Sequence, residues 1–289
     1  MDVRAILVGL AFALMWSSAF TSARIIVADA SPLLALSLRY LISGLLGVGI
    51  ALMLGQNWKL SKAQWRATII FGILQNAVYL GLNFVAMQTV QASLAAIIAS
   101  TMPLLVGLAA WVFLGERLRP LGVAGLTAGV VGVAIIMGAR LDGDVDLIGV
   151  MLCAIGVIAL TIATLLVRGA TSGGNFMMIV GLQMLVGCVA LSLAAFLFET
   201  PRIDPTLRLA AAFTYTCLVP GLAATVAWFW LVNRIGATRA ATFHFLNPFF
   251  GVAIAALMLN EALGTSDILG VAIISLGILA VQISRQNKT

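Results

Sequence analysis

Apolar residues in this chain arrive in long unbroken runs, neither alternating as in strands nor striped as in soluble helices. Ten stretches, roughly 5–28, 33–54, 67–87, 92–114, 121–139, 147–167, 176–198, 209–232, 238–259 and 267–284, are nearly free of charge. A helix needs about 20 apolar residues to cross a hydrocarbon core of about 30 Å, so each run predicts a spanning helix. Strands are excluded there, because an open edge leaves backbone groups unsatisfied in lipid. Breaks fall at Pro32, Pro120, Gly143, Gly173, Gly174, Pro201 and Pro205, residues that end regular structure. Ala28, Asp29 and Ala30 imitate a leader-cleavage site, but Trp16, Ser17, Ser18 and Arg24 interrupt the apolar stretch before them. That predicts an uncleaved first helix.

The pattern then repeats itself. Ser93–Leu118 holds Pro103 near its middle and Glu116 where the apolar run stops, and Thr238–Leu263 holds Pro248 and Glu261 in the same places, 145 residues on. The register extends outward: Ala92 answers to Ala237, Ala95 and Ala96 to Ala240 and Ala241, Leu114 to Leu259, Gly125 to Gly270, and Gly132 to Gly277. The expected fold is therefore an all-α membrane protein of ten transmembrane helices, with residues 1–144 and 145–289 as two five-helix repeats. An odd number of spans per repeat turns the second upside down. Inverted repeats are the signature of secondary transporters, whose substrate site lies in a central cavity near the bilayer midplane.

Composition narrows the class without changing it. Only 9% of residues are charged against 62% hydrophobic, and the mean hydropathy is +1.14, where soluble chains carry about 25% charge. The net charge of +6 would point to nucleic acid in a soluble protein; here the bases sit in short loops beside spans and report orientation instead. With the N-terminus inside, Arg4, Lys59, Lys62, Arg66, Arg117, Arg119, Arg168, Arg234, Arg239, Arg285 and Lys288 face the cytoplasm. Arg24, Arg140, Arg202 and Arg208 face outward, and Arg39 lies inside a span. Both termini are expected to be cytoplasmic. Cys153, Cys188 and Cys217 fall inside apolar runs without CxxC spacing and read as structural thiols.

Candidate chemistry sits on the few polar residues inside spans, where polar groups facing lipid are costly. Proline removes a backbone donor, so Pro103 and Pro248 should free the carbonyls of Ala99 and His244, either to line the cavity beside Ser100 and Asn247 or simply as kinks that serve helix packing. Gln75, Asn76, Tyr79 and Asn83 share one face of the third span, as substrate ligands or as interhelical hydrogen bonds. Trp16, with Ser17 beside it, reaches similar depth, and Trp228 and Trp230 could stack on a flat substrate or sit in an interfacial belt, the place of Trp58 and Trp65. Arg39 could hold a carboxylate, snorkel outward or form an ion pair. His244, the one histidine, could carry a coupling proton or simply be hydrogen-bonded. Glu116 and Glu261 end helices and read as structural. Gly125 and Gly129 form a small-residue face for helix packing or, secondarily, a homodimer. Asp142, Asp144 and Asp146 fail as a calcium loop, since the twelfth position is Cys153; no metal ligand set and no cofactor site is expected.

The segment Met15–Phe20, Pro32 with Leu38-Arg39-Tyr40, and Pro103 with Gly115-Glu116-Arg117-Leu118, Gly125 and Gly132 resemble the drug/metabolite transporter superfamily, EamA-type ten-helix exporters. Asn247-Pro248 and Asn260-Glu261-Ala262 look like the second copy, with Asn260 where glycine is usual and Ala262 where a base is common. The resemblance implies inverted five-helix repeats around a central cavity and export of small metabolites or amino acids from the bacterial cytoplasm across the inner membrane. All ten acidic residues lie in loops or at helix ends, leaving a buried cation without a partner. Neutral amino acids, aromatic ones included, are therefore the expected substrate, with the lipid bilayer as surroundings and no nucleic acid. The alternative is multidrug or cation efflux within the same superfamily. An intramembrane enzyme is disfavoured: no Gly-x-Ser-Gly-type motif or clustered carboxylates are present.

Overall fold

The computed structural model describes residues 3–115, 119–141, 145–166 and 175–286. Glu116, Arg117, Asp142, Asp144 and Arg168, on which parts of the sequence reading rest, lie outside the described residues. Among the described residues ten helices are long and apolar enough to cross a membrane: α1 (Val3–Asp29), α2 (Pro32–Met53), α3 (Lys62–Ala86), α4 (Ala92–Phe113), α5 (Pro120–Ala139), α6 (Leu147–Leu166), α7 (Phe176–Phe198), α8 (Leu207–Val232), α9 (Arg239–Leu259) and α10 (Thr265–Ser284). The only β geometry among them is an isolated antiparallel bridge, Ala30 to Ile203. Large apolar side chains cover the outer surface, including Val130, Phe196 and Leu257, each at least 70% exposed. Water would not tolerate so many; a hydrocarbon core does.

Several helices are interrupted, and the interruptions keep the 145-residue register. Helix α4 breaks at Thr101 and restarts at Met102 with Pro103 in its first turn. Helix α9 passes through a 3₁₀ segment, Thr242–Leu246, and restarts at Asn247 with Pro248 in its first turn. The restarted segments end in left-handed caps, Gly115 at φ +66° and Asn260 at φ +55°. Asparagine is among the few non-glycine residues that adopt that conformation readily, which explains how Asn260 can stand where the first copy has glycine. Helices α3 and α8 contain π-helical segments at Gly72–Tyr79 and Cys217–Ala223, again equivalent positions. Pro220 lies inside the second; Gln75 stands at the matching place in the first, so proline alone is not the cause.

Two compact units emerge from the packing: Met1–Thr21 with Thr89–Val150 and Ala223–Thr289, and Ser22–Gln88 with Met151–Leu222. The halves 1–144 and 145–289 describe repetition of sequence; the units describe packing, and each draws on both halves. In the first unit, α5 and α10 meet backbone to backbone. A Cβ on Gly125 would lie 2.7 Å from the Gly277 carbonyl oxygen, and one on Gly270 would lie 2.8 Å from that of Gly132. Ascending residues on α5 meet descending ones on α10, so the helices cross antiparallel. The Gly125–Gly129 face is thus taken up inside the chain, by α10 and by Leu104, and a dimer contact would need another surface. Glu261 caps α4: its carboxylate accepts from the amides of Ala92 (2.8 Å) and Ser93 (3.0 Å), groups with no partner inside the helix.

In the second unit, α2 packs on α7 through Gly44, Gly47 and Gly181, and each helix start is closed by its partner's end. Glu199 accepts from the amides of Leu33 (2.8 Å) and Leu34 (3.0 Å), and the Gln56 side chain accepts from the Met178 amide at 3.0 Å. The segment after α7 is fastened to the end of α1, with Arg202 N–H donating to Ser31 Oγ at 2.8 Å and Thr206 Oγ1 to the Asp29 carboxylate at 2.7 Å.

Candidate functional site

The first unit gathers an aromatic cluster around His244. Phe12 and Trp16 sit one helical turn apart on α1, and Trp228 ends on the same cluster from α8. Phe12 lies 5.8 Å from Trp16, 5.1 Å from Trp228 and 5.3 Å from His244 between ring centroids; Trp228 lies 5.2 Å from His244 and Trp16 6.2 Å. The imidazole stands nearly perpendicular to Phe12 and Trp16, the edge-to-face arrangement favoured by ring quadrupoles. Ala5, Ala224, Leu231, Ala240 and Phe243 close the apolar side, and Gly9 lets α1 approach, since a Cβ there would overlap the Phe243 ring. Trp228 therefore belongs to this cluster, whereas Trp58 and Trp230 are exposed.

The polar residues beside the cluster have defined jobs. The Asn247 amide donates to His244 Nδ1 at 2.9 Å; since Asn Nδ2 can only donate, Nδ1 accepts and the ring proton sits on Nε2. Ser17 Oγ donates to the Asn247 carbonyl at 3.2 Å. Asn247 is buried, and its Oδ1 has no hydrogen-bond partner. The carbonyl that Pro248 was expected to free, that of His244, accepts from the Asn247 backbone amide, because the 3₁₀ segment supplies a bond three residues on. On α4, Ala99 is half-buried, and Ser100 Oγ donates back to the Ala96 carbonyl at 2.6 Å. Pro103 stands in the first turn after the break.

The second unit holds the other predicted residues. Asn76, Tyr79 and Asn83 are buried and Gln75 half-buried on α3. Asn76 donates to the Gln183 carbonyl on α7 at 2.9 Å, and Asn83 to the Tyr79 carbonyl of its own helix at 2.8 Å, leaving Asn83 Oδ1 unpartnered. Gly156 on α6 admits this face: a Cβ there would lie 2.9 Å from Asn83 Nδ2. Arg39 is 6% exposed, its Nε unpartnered, and no ion pair joins it to a carboxylate among the described residues. Its guanidinium carbon lies 5.2 Å from the Tyr40 ring centroid. The sequence reading did not place Phe12, Tyr40, Ser43 or Gly221 beside these residues; Phe12 left a signal in its four-residue spacing from Trp16, and Tyr40 in the Arg39-Tyr40 pair.

Ten apolar helices with buried amides and a guanidinium, and no metal-binding cluster among the described residues, define a multi-pass membrane protein. The profile of the EamA-like transporter family matches residues 3–138 and again 147–283, and the chain belongs to that family, within the drug/metabolite transporter superfamily. It is 28% identical over 269 residues to an uncharacterized transporter, YvbV, of Bacillus subtilis, covering 93% of this chain and 88% of that one. It is 26% identical to an uncharacterized inner membrane transporter, YedA, of Escherichia coli K12, covering 96% and 91%. Over 139 residues it is 30% identical to the aromatic amino acid exporter YddG of Ancylobacter novellus, 48% of each chain. A solved crystal structure shares the fold, with a TM-score of 0.69, 21% identity and 98% coverage of both chains.

Proposed function

We propose that this chain is a secondary transporter that exports neutral amino acids, aromatic ones included, across the bacterial inner membrane, with both termini cytoplasmic and the second five-helix repeat inverted relative to the first. The observation that carries the substrate class is the site beside His244. Asn247 is oriented by His244 and Ser17 and presents a buried acceptor with no partner, next to the indoles of Trp16 and Trp228. An α-ammonium group can donate to that acceptor while an aromatic side chain meets the rings. Among the described residues no acidic side chain lies near the middle of a helix, which disfavours permanent cations. The relative that exports aromatic amino acids supports the same class. The antiparallel crossing of the equivalent helices α5 and α10 supports inversion, and the loop bases support the orientation.

The test is counterflow in proteoliposomes with phenylalanine, tryptophan, threonine and methionine against quaternary ammonium compounds. Saturable exchange of the amino acids is expected. Carriage of the ammonium compounds alone would show a cation exporter instead.

A further inference from the structure

We infer that Arg39 is an anion anchor, and that the chain recognises its ligands through a carboxylate borne on an apolar or aromatic group, whether or not an amino group is present. Arg39 lies about two turns inside α2, roughly 10 Å from its start at 1.5 Å per residue. A cation at such depth is expensive unless it is paired. Yet Arg39 is 6% exposed, its Nε has no hydrogen-bond partner, and no carboxylate among the described residues pairs with it. The Tyr40 ring, 5.2 Å away, covers the guanidinium with a π face but accepts no in-plane N–H bond. The Nε donor is thus left for something the chain does not supply.

Gly221 keeps a side chain out of the space beside the guanidinium: a Cβ there would stand 3.1 Å from the Thr216 carbonyl oxygen, 3.3 Å from Ser43 Oγ and 3.9 Å from Arg39 Nη2. Ser43 Oγ reaches the Cys217 carbonyl only at 3.4 Å, a long bond that can be exchanged for a better acceptor. Gly221 and Cys217 both belong to the π-helical segment Cys217–Ala223, a distortion that recurs at functional sites. A planar guanidinium fork with a hydroxyl beside it fits a carboxylate, which takes two parallel N–H bonds. One positive charge matches a monoanion, so dianionic phosphates are disfavoured.

This assignment rests on the transport reading for its biological use, and the two fail separately. Purified protein is titrated with phenylacetate, L-phenylalanine, phenylalaninamide and phenethylamine, following tryptophan fluorescence. The two carboxylates are expected to bind at least about tenfold more tightly than the amide and the amine, the discrimination a lost charged hydrogen-bond pair gives. Arg39→Gln should erase that preference, Arg39→Lys should keep part of it, and Gly221→Ala should weaken carboxylate binding with Arg39 intact. Equal affinity of acid and amide in the unsubstituted protein overturns the assignment without any variant, as does failure of every carboxylate to bind. A carboxylate preference that survives in Arg39→Gln protein of normal elution volume overturns it too. Arg39-dependent binding of phenylacetate without amino-acid counterflow would leave the anchor standing and sink the amino-acid reading. Counterflow of phenylalanine without carboxylate preference would do the reverse.

Discussion

At the residue scale, the buried polar side chains divide into those satisfied by the chain and those left open. Asn76 donates to the Gln183 carbonyl on α7, Ser100 to its own helix, and Glu261 caps α4. Asn247 and Arg39 retain unpartnered atoms. Asn247→Ala should weaken binding of neutral amino acids by about tenfold, since a hydrogen bond to a charged group contributes about 1.5–3 kcal/mol; counterflow half-saturation measures it. Glu261→Ala should leave that affinity unchanged and lower the thermal midpoint, as losing a helix cap costs about 1 kcal/mol. Asp146 adds a pH effect outside the membrane. Its carboxylate accepts from Thr89 Oγ1 at 2.5 Å and from the Ile148 amide at 3.0 Å, and these bonds, the Thr89 one foremost, hold its pKa below the ordinary 3.8. A depressed folded-state pKa adds stability above the unfolded value and loses it as pH falls through the folded one. The melting-point difference between the unsubstituted protein and Asp146→Asn should therefore be flat near neutrality and shrink below about pH 4.

At the element scale, close helix approach depends on particular glycines. A Cβ on Gly277 would lie 2.7 Å from the Gly125 carbonyl oxygen, with backbone on every side, whereas one on Gly138 meets nothing within 4 Å. Gly277→Ala should destabilise by about 1–3 kcal/mol, the usual cost of overpacking. Gly138→Ala should be neutral or stabilising, because glycine inside a helix costs up to about 1 kcal/mol relative to alanine. Thermal unfolding in one detergent compares them. The π-helical segments make a second contrast. Because Gln75 occupies in α3 the place Pro220 has in α8, Pro220→Ala should leave both melting point and counterflow close to those of the unsubstituted protein. A large loss would make proline the cause of the distortion.

At the scale of the whole molecule, orientation is the property open to a direct test. Single cysteines at Lys59 and Asp142, in a background without the native thiols, should label from opposite sides of the membrane; labelling from one side would reverse the reading of the loops. The ten spans, their bounds to within a few residues and the 145-residue register were legible in the sequence. Lipid thickness fixes the length of an apolar run, and the backbone must satisfy itself within it. The breaks at Pro103 and Pro248 were legible for a similar local reason, since proline lacks a donor wherever it stands. What became of the freed acceptors was not: the His244 carbonyl is taken by a 3₁₀ bond, a choice made by the backbone on both sides of the proline. The π turns left no mark in the pattern, because a shift from four- to five-residue bonding changes no hydropathy. Nor could periodicity tell that Phe12, Trp16, Trp228 and His244 share one cluster, that Gly125 meets Gly277, or that Arg39 goes unpaired. Each depends on which side chains distant segments bring into contact, and in lipid the outward face is apolar as well, so hydropathy alone does not choose among inward partners and only tertiary packing decides.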